Sequence, residues 1–183
     1  MRRALLVTAV VMLGIGTVTA QTPPPAAPMA TMAQLMRGLF FPNANLIFDV
    51  QMEDPGKPRQ QGPSTGTVTN TFSGIYTGWQ NVENAALLLI EGASLMTAHG
   101  RPCENGRMAP VQRWDWQKWS RELSEVSFQI YQAAQERNRE VVSELTGNLA
   151  EACDNCHRVY RSNAQGSHMR CLGSGIVLPP QSQ

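Results

Sequence analysis

The chain has 183 residues, 42% of them apolar and 16% charged, with a formal net charge of +1. That length supports one domain with its own core, and the near-neutral balance excludes the basic stripe expected of a nucleic-acid binder. Four cysteines are too few for a disulfide scaffold of this size but enough for a site. Collagen-like, coiled-coil and multi-pass membrane organisations are excluded as well.

Residues 1–20 read as a secretory signal peptide. Arg2 and Arg3 form a basic start, 4–16 is an uncharged apolar run, and Val18-Thr19-Ala20 offers small residues for cleavage after Ala20. The run is short of the ~20 apolar residues a spanning helix needs, and no cysteine stands at the junction to carry a lipid. Loss of Arg2 and Arg3 leaves 13 basic against 14 acidic residues, a mature charge of −1. The expectation is an exported, periplasmic protein in an oxidising compartment, with no membrane anchor.

A Pro/Ala leader covers 21–30, and the folded domain is expected over 31–161. Met32, Leu35, Met36 and Leu39 mark one helix face. Pro42 must kink or break this helix, and Leu46, Ile47 and Val50 continue the pattern beyond it. The stretch 53–73, rich in Pro, Gly, Gln, Ser and Thr, reads as a long connection. Within it, 65–72 is the one weak strand candidate.

A second helix carries Ile75, Trp79, Val82, Ala86, Leu89, Ala93 and Met96 and is stopped by Gly100 and Pro102. A third starts near Trp114, with Trp116, Trp119, Leu123, Val126, Ile130 and Ala133 on its seam; Trp114 falls off that seam and faces solvent. A fourth has Val142, Leu145, Leu149, Ala152, Cys156 and Val159. Alternating threes and fours give seams that pack helices nearly antiparallel. The fold expected is all-α, an up-down-up-down four-helix bundle, followed by a tail over 162–183.

The sharpest motif is Cys153-Asp154-Asn155-Cys156-His157. Two cysteines three apart, with histidine next, suit covalent haem attachment: the thiols add to the two vinyl groups as thioethers, and the imidazole ligates the iron. A redox dithiol would open a helix in a βαβ setting rather than close the last helix of an all-α chain. A zinc site needs a second ligand pair, and His99, His168, Cys103 and Cys171 lack paired spacing. A disulfide within one turn would constrain little. The reading is one haem c, near the C-terminal end of the last helix.

The segment Ala152-Cys153-Asp154-Asn155-Cys156-His157-Arg158-Val159-Tyr160-Arg161 resembles the haem-binding end of the class II cytochromes c, cytochrome c prime and its low-spin relatives. In that family, too, the motif sits on the last helix of a four-helix bundle. The resemblance runs from Met32 to Arg161; the 53–73 connection, Pro42 and the tail depart from it. It implies an exported electron carrier or a gas-binding haem protein, often a homodimer paired through helices one and two. It also implies that Arg161 matches a basic residue near the proximal histidine that tunes the iron. A solvated arginine favoured by the helix dipole is the plainer reading of that position.

Some members of the family bind a methionine sulfur as sixth ligand, and others leave the position open. In an up-down-up-down bundle the start of helix one, the end of helix two, the start of helix three and the end of helix four share one end. Met36 is the first candidate for the sixth ligand and Met32 the second; both also suit a plain core role beside the haem. His99 lies off its helix seam and reads as a surface residue, and His168 as solvated in the tail. Cys103 and Cys171 fall at the same end and could be disulfide-bonded, free, or linked to another chain. No hydrolytic triad, phosphate loop or paired carboxylate is visible, and no catalytic residue is expected. The function expected is electron transport between redox partner proteins through a His157-ligated haem. The alternative is an open-site haem protein that binds nitric oxide or carbon monoxide; a haem subunit of a larger dehydrogenase is a third reading.

Overall fold

The computed structural model describes residues 27–57, 78–161 and Cys171. The signal peptide, most of the leader, most of the 53–73 connection with its strand candidate, Ile75, His168 and the tail apart from Cys171 lie outside the described residues. Among the described residues the chain is all-helical, with four helices and no strand; one isolated bridge joins Pro102 and Met108.

The first helix, α1, is a composite: Met32–Leu35 in α conformation, Met36–Phe40 as a π turn, Phe41–Phe48 in α conformation and Asp49–Gln51 as a 3-10 turn. Thr31 opens it with a capping box, its hydroxyl accepting from Gln34 N–H and its own N–H donating to Gln34 Oε1. Pro42 does not break the helix. The turn before it widens instead, so Phe41 N–H reaches back to Met36 O. Asn43 Nδ2 donates to Leu39 O at 2.7 Å in the turn around the proline, whose own nitrogen has no hydrogen to give.

The extra residue in that turn also moves the apolar stripe. The buried positions are Met32, Ala33, Leu35, Phe40, Ala44, Ile47 and Val50, stepping from Leu35 to Phe40 rather than to the expected Leu39. Leu39 is only partly buried.

Helix α2 spans Trp79–Met96, α3 spans Trp114–Gln135 and α4 spans Arg139–Tyr160. The expected seams are buried as read: Val82, Ala86, Leu89, Ala93 and Met96 on α2; Trp116, Leu123, Val126, Ile130 and Ala133 on α3; Val142, Leu149, Ala152 and Cys156 on α4. Trp79, Trp119, Leu145 and Val159 are partly buried against this core, and Trp114 is exposed. Burying each large apolar side chain contributes roughly 1.5–3 kcal/mol. Gly92 is buried on α2 because α1 comes close there: a Cβ on it would lie 2.8 Å from the Phe40 ring and 2.7 Å from Leu39 Cδ2.

Helix α1 packs on α2 and α4, α2 on α3, and α3 on α4. Asn138 caps α4 by accepting from Val141 N–H at 3.2 Å. At one end, Arg139 donates to Val50 O and Gln51 O, each at 3.0 Å, joining the end of α1 to the start of α4. At the other end, Met32 N–H donates to Pro102 O at 2.8 Å. Buried Arg101 spans Leu95 O at 2.9 Å and Ala30 O at 2.7 Å, so the start of α1 is tied to the end of α2.

Candidate functional site

A cavity of about 420 Å³ opens where the start of α1 meets the ends of α2 and α4 and the first turns of α3. It falls within the size range of ligand and cofactor pockets. Cys153, Cys156, His157 and Arg161 line it from α4; Met32, Met36 and Phe40 line it from α1; Met96, Trp116 and Trp119 complete the apolar wall. The residues singled out in the sequence are thus brought to one place.

The helical period explains the α4 wall. Ala152, Cys156 and Tyr160 follow i, i+4, i+8 and are all buried. Cys153 lies half-buried on the adjacent row and is a free thiol, as is buried Cys156. Burial pushes the Cys153 thiol up to about 11, helped by the Asp154 charge. Burial pushes Cys156 up to about 12, with smaller contributions from Cys153 and Asp115. Both sulfurs hold their protons at neutral pH. That is the opposite of a redox dithiol, whose attacking sulfur is kept as thiolate by nearby positive charge or a helix N-terminus.

His157 is half-buried beside the cavity, with its Nδ1 3.4 Å from Arg161 Nη1. Arg161 is exposed and lies one turn beyond His157, on the same wall. On the facing side, Met32 is buried and Met36 partly buried. His99 is exposed, sits within hydrogen-bond distance of Gln112, and is not part of the cavity wall.

Cys103 and Cys171 are joined in a disulfide. Cys171 N–H donates to Tyr160 O at 2.6 Å, which brings the tail back to the end of α4 and places Cys171 in the cavity wall. With those two sulfurs bonded to each other, they are not ligands for a metal shared with Cys153 and Cys156. Among the described residues no group of three or more His, Cys, Asp or Glu gathers to hold a metal ion.

The donor set and the space fit a haem. There are two thiols and an imidazole on one helix, thioethers on another, and an apolar, aromatic lining between them. The cavity residue that periodicity misplaced is Phe40, which enters because of the π turn.

A second feature escaped the sequence altogether. Asp115, fully buried in the first turn of α3, accepts two hydrogen bonds from Arg113, at 3.0 Å each, and one from the Tyr160 hydroxyl at 2.9 Å. Trp116 N–H adds another at 2.9 Å, and Arg113 Nε also donates to the Tyr160 hydroxyl at 2.9 Å. Burial alone would raise the Asp115 carboxyl, but the hydrogen bonds from Arg113, Tyr160 and Trp116 hold it below its ordinary range. Burial, then the bond to Asp115, pushes the Tyr160 phenol up. The Tyr160 ring meets Trp116 and Trp119 edge-on, with centroids 4.7 and 5.8 Å away. The available signal was slight: an arginine just before a helix and an aspartate in its first turn.

At the cavity rim Arg37 pairs with Glu104 at 2.6 Å. This exposed pair contributes little stability. Comparison with protein-family models, with characterised proteins and with solved structures gives no match.

Proposed function

We propose that the protein is an exported, periplasmic c-type cytochrome of the class II kind. It carries electrons between redox partner proteins through one haem held covalently by Cys153 and Cys156 and ligated by His157. The observation that carries this reading is a single one: Cys153, Cys156 and His157 of α4 and Met32 and Met36 of α1 line the same cavity from facing sides. An up-down-up-down path is favoured by the link Glu136, Arg137 and Asn138 between α3 and α4. It is also favoured by the hydrogen bonds that join the end of α1 to the start of α4.

When bound, the haem supplies an iron that cycles between ferric and ferrous forms. The chain's own residues do the rest. Cys153 and Cys156 would fix the cofactor to a continuous helix, His157 would supply a nitrogen ligand to its iron and Met36 a sulfur ligand, with Met32 the second choice for that role. Histidine with methionine favours the reduced iron and suits a carrier. Met96, Phe40, Trp116 and Trp119 exclude water, and Arg161 lies against the edge of the His157 ring.

The test is expression of the full chain in a host that attaches haem c, followed by acid–organic extraction. The parent retains its colour through extraction, and the Cys153→Ala/Cys156→Ala variant loses it. A parent that releases all its colour, or takes up none, overturns the proposal.

A further inference from the structure

Resting on the cytochrome reading, we infer that the Arg113–Asp115 pair holds the haem-binding turn in position through Tyr160 and is a balanced pair of charges whose two members pull the iron's potential in opposite directions. Two charged side chains reach the back of the cavity wall without lining it. Asp115 is 2% exposed, and the side chain of Arg113 12%. They meet in a forked pair. Tyr160, which does line the cavity, stands three residues beyond His157 and four beyond Cys156 on the same helix. Its hydroxyl is held by both charges, its ring lies against two tryptophans, and its carbonyl takes the N–H of Cys171. Tyr160 therefore fixes the turn that presents the histidine. The Asp115 carboxylate also accepts from the N–H of Trp116, itself part of the cavity wall.

Asp115 is shielded from water, so its charge is felt across the cavity wall more strongly than an exposed charge at the same distance. The ferric form of the site carries one more positive charge than the ferrous form. A buried carboxylate favours the ferric form and lowers the potential; a buried guanidinium favours the ferrous form and raises it. In the intact pair the two nearly cancel. The pair thus holds the Tyr160 turn rigid while adding little net field at the iron.

This arrangement predicts a response that a purely structural role does not. Asp115→Asn removes the negative member and shifts the midpoint potential up. Arg113→Gln removes the positive member and shifts it down. The double variant returns it close to the parent value. Tyr160→Phe keeps both charges and moves the potential least. Unfolding midpoints, by contrast, fall in every single variant.

The experiment is a spectroelectrochemical titration of the full, haem-loaded chain and these variants, with urea unfolding measured in parallel. Opposite-signed potential shifts accompanied by same-signed losses of stability are the expected result. Shifts of the same sign, or unchanged potentials in variants that carry covalent haem, overturn the inference and leave the cytochrome reading standing. A parent chain without covalent haem overturns the cytochrome reading itself. Should Asp115→Asn fail to fold, Arg113→Gln against the charge-retaining Arg113→Lys decides alone: a downward shift in the first and none in the second supports tuning, and equal behaviour contradicts it.

Discussion

The two walls of the cavity are built in different ways. Helix α4 runs unbroken over Arg139–Tyr160, capped by Asn138, with a regular buried stripe that ends in Ala152, Cys156 and Tyr160. Helix α1 changes form repeatedly between Met32 and Gln51, and its buried stripe is displaced by a π turn just ahead of Pro42. The regular wall holds the residues proposed to bond the cofactor; the irregular wall supplies methionines and an aromatic plug. Attachment chemistry needs sulfur and nitrogen at fixed offsets on a rigid element, and a continuous helix gives that. The facing wall needs shape, and one widened turn delivers Phe40 into the space that Gly92 leaves open.

The sharpest way to break this contrast is to remove bulk from α1 at adjacent positions. Phe40→Ala is expected to cost ~3–5 kcal/mol, the range for a buried Phe truncated to Ala, and Leu39→Ala clearly less, read from urea unfolding midpoints. An equal or reversed order would mean that the turn does not shift the stripe.

The disulfide comes next. It closes a loop of 68 residues between Cys103 and Cys171, and chain-entropy arguments give about 4 kcal/mol for a loop of that order. Unfolding of the Cys103→Ala/Cys171→Ala variant should fall short of the parent by a large part of that figure. No difference would mean that the tail adds nothing at the cavity end.

A smaller effect tests the entrance of α1. Thr31→Ala removes the capping hydroxyl and should cost ~1 kcal/mol, against near-neutrality for Gln129→Ala at an exposed helical position. The smallest effect concerns acid. Because the folded-state Asp115 carboxyl is held below its ordinary value of 3.8, its contribution is present above that value and is lost as pH falls through the folded-state value. The acid-unfolding curve of Asp115→Asn should lack that component, and a curve parallel to the parent's would contradict the assignment.

Much of this was legible in the sequence, for physical reasons that differ by residue. That Cys153, Cys156 and His157 share one wall was readable because residues three and four apart on a helix lie on one face. Val82, Leu89, Trp116, Ile130 and Leu149 were readable because regular helices bury every third or fourth residue. Cys103 and Cys171 could be placed at one end but not paired, since spacing alone does not fix a disulfide. Phe40 was missed because a π turn adds a residue that a 3.6 period cannot anticipate. The Arg113, Asp115 and Tyr160 cluster was missed because it joins residues 45 apart through hydrogen bonds, and such pairing leaves no periodic trace.

The measurement that tests the central claim most directly is the visible spectrum of the ferrous, haem-loaded protein before and after carbon monoxide, for the parent and for Met36→Ala. The account predicts a low-spin parent that ignores the gas, and a Met36→Ala variant that turns high-spin and binds it. A high-spin parent that takes up carbon monoxide would contradict methionine ligation and put the gas-binding function in its place.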